Sequence, residues 1–274
     1  MKQKLIMDLA INEHSNNILI DSKRYSGVLV NHYLIDEKRS KDLKKQEGEF
    51  YVLNFSEELL LTKSDVIKKE TQKILKKFLK EYKSKRTLVI GLGNSDVAAD
   101  SFGVKTTNKI IATNHYNDFL TIPKIALFNP EVTEKTGINS FNLIKLVVKD
   151  FKPDTIIIID SLATKYNEYL NKCIEINNTG LVPGSALRDN REITKKTFNI
   201  PVISIGIPLV IEIDNKLYTT PNVDQINDLV SDIISDALNN IFLSWKRQFF
   251  YVLNFIIKIK EVILLLKDLK QIQK

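Results

Sequence analysis

The chain has 274 residues, enough for one large domain or two modest ones around a core that needs no covalent staples. A hydrophobic share of 43% with 27% charged residues excludes wholesale disorder, and a single cysteine, Cys173, excludes an intramolecular disulfide. From Lys246 onward seven basic residues face only Glu261 and Asp268, so +5 of the net charge of +7 sits in the tail and no direct nucleic-acid partner is expected.

In chain order, only Leu5, Ile6 and Met7 separate Lys4 from Asp8, too few for a signal-peptide core, so a cytoplasmic protein is expected. Residues 1–61 read as a β-rich opening, with strands at 16–20 and 49–54 around a lysine-rich loop or short helix at 38–45. Thr62, Ser64 and Asp65 then offer caps to a helix whose apolar positions Val66, Ile67, Ile74, Leu75, Phe78, Leu79 and Tyr82 keep helical spacing. Three short β-branched runs follow at 87–91, 155–159 and 201–207, separated by helical intervals, one of them at 140–148. That alternation predicts an α/β fold with parallel strands. Thr220 and Pro221 open a last amphipathic helix through Val223, Ile226, Val230, Ile234 and Ile241. The tail from Trp245 is apolar and basic. Lys258 and Lys260 interrupt it short of the roughly 20 residues of a membrane span, which leaves a surface-lying helix or one docked on protein.

In open α/β sheets chemistry gathers beyond the carboxyl ends of the strands. The first run leads into Gly91-Leu92-Gly93-Asn94, but the position of a third dinucleotide-binding glycine holds Asp96, whose charge would repel a pyrophosphate, and no cofactor is expected. The second run ends in Asp160, directly after four isoleucines, where the carboxylate is either functional or the cap of a following helix. If the two strands are neighbours, Asp96 or Asp100 can meet Asp160. A close carboxylate pair shares one proton and can activate water, as in an aspartic peptidase. Two carboxylates and His115 could equally hold a metal ion. Farther on, Pro183-Gly184-Ser185 forms a turn that could present N–H groups to a peptide carbonyl, while Ser185 lacks the surroundings of a nucleophile.

Taken together, the motifs resemble those of the germination (spore) proteases, an aspartic-type endopeptidase family. The likeness rests on Met7-Asp8-Leu9-Ala10, Gly91-Leu92-Gly93-Asn94 with Asp100 and Gly103, and Thr113-Asn114-His115. It continues through Thr136-Gly137-Ile138, Lys152-Pro153-Asp154, Asp160-Ser161-Leu162-Ala163, Asn178-Thr179-Gly180, Pro183-Gly184-Ser185, Asn190-Arg191 and Pro201-Val202-Ile203. The resemblance implies a three-layer α/β sandwich with a mostly parallel central sheet, related to the hydrogenase-maturation-peptidase-like fold. It implies Asp100 and Asp160 as catalytic, with Gly93, Asn94, His115, Gly184 and Ser185 as supporting or substrate-contacting residues. It also implies a zymogen processed between Asp8 and Leu9, a homotetramer, and small acid-soluble spore proteins as substrates in the cytoplasm or spore core of a sporulating host. On this reading residues 1–8 are a propeptide, 9–243 a single peptidase-like domain and 244–274 an extension. Departures are Asp96-Val97-Ala98-Ala99 where the family favours Asn-x-Thr-Pro, Ala186-Leu187-Arg188 where it is richer in glycine, and a segment missing between Val210 and Tyr218. Two other readings remain: a metal-recognising maturation peptidase, from the Gly91 to Gly103 spacing, and a catalytically silent homologue that binds or scaffolds.

Overall fold

The computed structural model describes residues 18–43, 46–80, 86–115, 123–181 and 192–243. The chain starts as an antiparallel hairpin of β1 (Leu19–Tyr25) and β2 (Val28–Ile35). Its two turn residues, Ser26 and Gly27, both have positive φ, which matches the twist of the flanking strands. Helix α1 (Glu37–Leu43) takes up the lysine-rich stretch and leads to β3 (Gly48–Asn54), which pairs with β2. Sequence periodicity missed the hairpin because Lys23, Arg24, Asn31 and His32 interrupt the apolar alternation on which strands are read.

Helix α2 (Glu57–Leu79) begins earlier than its apolar spacing predicts, at Ser56, whose Oγ accepts the Leu59 N–H at 3.1 Å. The predicted capping stretch instead coincides with a kink: Lys63 leaves helical geometry at φ −143°, ψ 43°.

The parallel half of the molecule is built from β4 (Arg86–Gly91), α3 (Phe102–Asn108), β5 (Lys124–Phe128), α4 (Thr133–Thr136), α5 (Ser140–Phe151) and β6 (Thr155–Thr164). After it come β7 (Cys173–Asn177), the short pair β8 (Gly180–Leu181) and β9 (Ile193–Thr194), α6 (Lys195–Phe198), β10 (Val202–Ile213), β11 (Lys216–Tyr218) and α7 (Val223–Phe242). One sheet runs in the order β1-β2-β3-β7-β10-β6-β4-β5, with β11 paired to β10. Neighbours among β10, β6, β4 and β5 are parallel, and the strands on the other side of β10 join antiparallel.

Ile156 to Ile159 are all fully buried because both faces of β6 are covered. Ile156 and Ile158 pack with Ile144, Val148 and Phe151 of α5, whereas Ile157 and Ile159 pack with α2, Phe102 of α3, and α7. The α/β layering predicted from alternation is therefore the fold. On the outer face of α7, Asp224, Asp228, Asp232 and Asp236 recur every fourth residue and meet Lys105, Lys109 and Lys68.

Cys173 is fully buried at the start of β7, and burial pushes its thiol well above its ordinary range. β10 and β11 are joined by Asp214 and Asn215, again two residues of positive φ, so the connection that begins after Val210 is a tight hairpin. Among the described residues no helix is long and apolar enough to cross a membrane. The 244–274 extension lies outside them.

Candidate active site

β4 and β6 are adjacent, and their pairing ends at Gly91 opposite Ile159. The Leu92 N–H closes the last rung on the Ile159 carbonyl at 2.9 Å. β6 continues for five residues beyond that point, so Asp160 is the first residue of β6 past the end of β4, opposite Gly206 of β10. No helix follows it. The capping role weighed for Asp160 is thereby corrected: β10 extends alongside and holds residues 160–164 as strand. The Asp160 side chain is half-buried, and its Oδ1 accepts the Ser161 N–H at 2.8 Å.

The loop from Leu92 to Ser101 folds tightly over the same sheet end. Gly93 has φ +108°, and a Cβ there would lie 1.8 Å from the Asp100 carbonyl oxygen, so only glycine fits. At Gly103 a Cβ would stand 2.2 Å from the Ile159 carbonyl oxygen, which is how closely the first turn of α3 sits on β6. Between these glycines a single 3₁₀ turn, Ala98–Asp100, packs against β6, β10 and α7. Asp100 Oδ2 accepts the backbone N–H of Asn94 at 2.9 Å, while the Asn94 Oδ1 accepts the Asp96 N–H at 3.0 Å and so closes the loop locally. Burial raises the Asp100 carboxyl above its ordinary range, the Asn94 N–H opposes this, and the nearby charge of Glu131 adds to it.

Asp96 takes a different course. Its side chain is 72% exposed and lies 3.0 Å from Lys135 Nζ. Lys135 also reaches Glu131 at 3.4 Å and the Ser95 hydroxyl, and Glu131 accepts the Ser95 N–H at 3.1 Å. Burial works to raise the Glu131 carboxyl, but Ser95 and Lys135 outweigh it and hold it below its ordinary range. Asp96 thus belongs to a surface ion network that pins the loop, and of the two candidates Asp100 is the inward one.

His115 is not brought to the carboxylates. It is exposed, next to Asn114, whose N–H bonds the carbonyl of Ile125 at the amino end of β5, the opposite end of the sheet. The metal arrangement that would join it to two aspartates is therefore not assembled. Among the described residues no three His, Cys, Asp or Glu side chains gather as metal ligands would. Gly184 and Ser185, and the processing pair Asp8 and Leu9, lie outside the described residues.

Sequence reasoning missed Glu131 and Lys135 because it missed β5. The signal was present in Ile125-Ala126-Leu127-Phe128 running into Asn129-Pro130, a short apolar run closed by a turn pair. It also missed Glu175, buried on β7 across Gly206 from Asp160, with the Asn177 amide 3.1 Å from its carboxylate.

Sheet order, loop and partly buried carboxylate define a layered α/β protein with an acidic site at the carboxyl end of its parallel strands. The chain belongs to the germination protease family, whose model matches residues 3–239. It is 33% identical over 211 residues to a germination protease of Geobacillus sp. (strain WCH70), covering 71% of this chain and 56% of that protein. With the germination protease of Clostridium acetobutylicum it shares 30% identity over 210 residues, covering 72% and 64%. With that of Caldanaerobacter subterraneus subsp. tengcongensis it shares 29% over 257 residues, covering 86% and 79%. The chain thus spans less than two thirds of the length of the first two relatives. Among solved structures, a [NiFe] hydrogenase maturation protease HycI from Thermococcus kodakarensis KOD1 overlaps 61% of this chain and 99% of its own, at 16% identity and a TM-score of 0.40.

Proposed function

We propose that this chain is an endopeptidase in which Asp100 and Asp160 act as a pair on one water molecule. The observation that carries the reading is the sheet end itself: Asp160 is the first residue of β6 beyond β4, and the glycine-tight loop from β4 brings Asp100 over the same edge. Asp100, the carboxyl that burial raises, holds the shared proton and donates it to the scissile carbonyl oxygen. Asp160, ionised, takes a proton from the water as the water oxygen bonds to the carbonyl carbon. The tetrahedral intermediate then collapses: the C–N bond breaks, the amine leaves with the proton taken up by Asp160, and one hydroxyl returns its proton to Asp100 as the C=O of the new carboxyl re-forms.

Family membership supports small acid-soluble spore proteins as substrates, in the cytoplasm or spore core, and a zymogen in which residues 1–8 are removed from a 9–243 peptidase domain. It likewise supports a homotetramer.

The test is to offer purified protein those substrates and to compare wild type with Asp100→Asn and Asp160→Asn. Both variants should lose cleavage by about a thousandfold or more. Cleavage at the wild-type rate by either one rejects the pair. Mass spectrometry of the incubated wild type should show an N-terminus at Leu9, and an intact Met1 under conditions where substrate is cut rejects the processing site.

A further inference from the structure

We propose that Asn227 of α7 is a positioning residue that fixes the turn carrying Asp100 at the sheet end. The inference rests on the two-aspartate reading and assigns to it a residue of a different element, remote in sequence. Asn227 has no exposed surface, although it lies on the apolar face of α7 among Ile226, Val230 and Ile234. An amide there costs stability unless every polar atom is bonded, and each one is. Its Nδ2 donates to the Ala98 carbonyl at 2.8 Å and to Ser101 Oγ at 3.0 Å, the residues that bracket Asp100. Its Oδ1 accepts the Ser231 hydroxyl at 3.2 Å, and Ser231 in turn stands 3.2 Å from Thr106 Oγ1 of α3.

The turn needs such a hold. A single 3₁₀ turn carries few bonds of its own, here the Asp100 N–H to the Val97 carbonyl at 2.8 Å and the Ser101 hydroxyl to the Ala98 carbonyl at 3.1 Å. The Asn227 amide supplies two more, from a long helix packed into the main core. It thereby keeps the Asp100 carboxylate in reach of the Asn94 N–H and aimed past the end of β4. Fully satisfied polar groups in an apolar face specify one geometry where an apolar side chain would only fill volume.

The test uses Asn227→Leu, Ser231→Ala and, as control, Ser235→Ala, whose buried hydroxyl bonds only the Asp232 carbonyl of its own helix among the contacts seen. In folded Asn227→Leu, kcat should fall about tenfold or more with KM within about twofold of wild type, because a misaimed group costs rate rather than binding. Ser231→Ala should show a smaller fall of the same kind, and Ser235→Ala none. The Asn94 amide resonance in ¹⁵N-labelled protein gives a second readout that needs no turnover. It should follow the Asp100 titration in wild type and lose about half or more of that swing in Asn227→Leu. A folded Asn227→Leu with wild-type kcat and an undiminished Asn94 swing overturns the proposal. Should that variant not fold, the same result in Ser231→Ala overturns it. Loss of cleavage in Asp100→Asn beside full activity in Asn227→Leu rejects the positioning role alone, whereas cleavage surviving in Asp100→Asn rejects the aspartate pair itself.

Discussion

At the scale of single residues, Asp100 works against the stability of the fold that holds it. Its carboxyl binds a proton more tightly in the folded protein than in the unfolded chain, chiefly through burial. The stabilisation that goes with the protonated form is therefore complete below the ordinary aspartate value of about 3.9 and is lost as pH rises through the folded-state value. Asp100→Asn, neutral throughout, should melt at a higher temperature than wild type near pH 7, with the gap closing on acidification towards about pH 4. Thermal unfolding across that range checks it, and equal Tm values at neutral pH, or a gap that widens in acid, would contradict the sign. Which of the two loop aspartates faces inward was only half legible. Asp160 stands out because four isoleucines precede it, but Asp96 and Asp100 follow the same strand at similar distance, so strand position alone left both open and only the family resemblance favoured Asp100. In the structure Asp96 lies exposed against Lys135 while Asp100 is partly buried against the Asn94 N–H. Asn227 was not legible at all, since one polar residue between Ile226 and Asp228 looks like part of a solvated face.

At the scale of elements, legibility followed burial on both faces. β4, β6 and β10 read as strands because their residues meet core above and below, so apolar runs are continuous. β7 did not, because the buried carboxylate of Glu175 breaks its pattern. The carboxyl end of β6 was read too short for a related reason: Asp160 and Ser161 are polar, yet pairing with β10 keeps the backbone extended. In α2 the sequence placed the cap at Thr62 to Asp65, but the structure starts the helix at Ser56 and puts the bend at Lys63. Ser56→Ala should cost about 1 kcal/mol, the usual worth of an N-cap, read as a lower urea midpoint at unchanged slope. A loss below a few tenths of that would mean the first turn is held by packing of Leu60 rather than by the cap. The aspartates along α7 should contribute little each, being exposed pairs with flexible lysines.

At the scale of the whole molecule, one sheet joins an antiparallel wing to the parallel half that carries the acids, and β7 is the seam between β3 and β10. The chain's only cysteine sits on that seam, with no exposed surface. It amounts to a built-in clock. A thiol reagent can reach Cys173 only when β7 parts from its neighbours, so the rate of labelling counts how often the wing and the parallel half separate. In native buffer that rate should be about a thousandfold or more below the rate in denaturant. Labelling at the denatured rate without denaturant would mean the two halves are not one cooperative unit. A substrate-bound or processed form that slows the clock further would reveal coupling between the acid site and the far wing, with no label introduced and no residue changed.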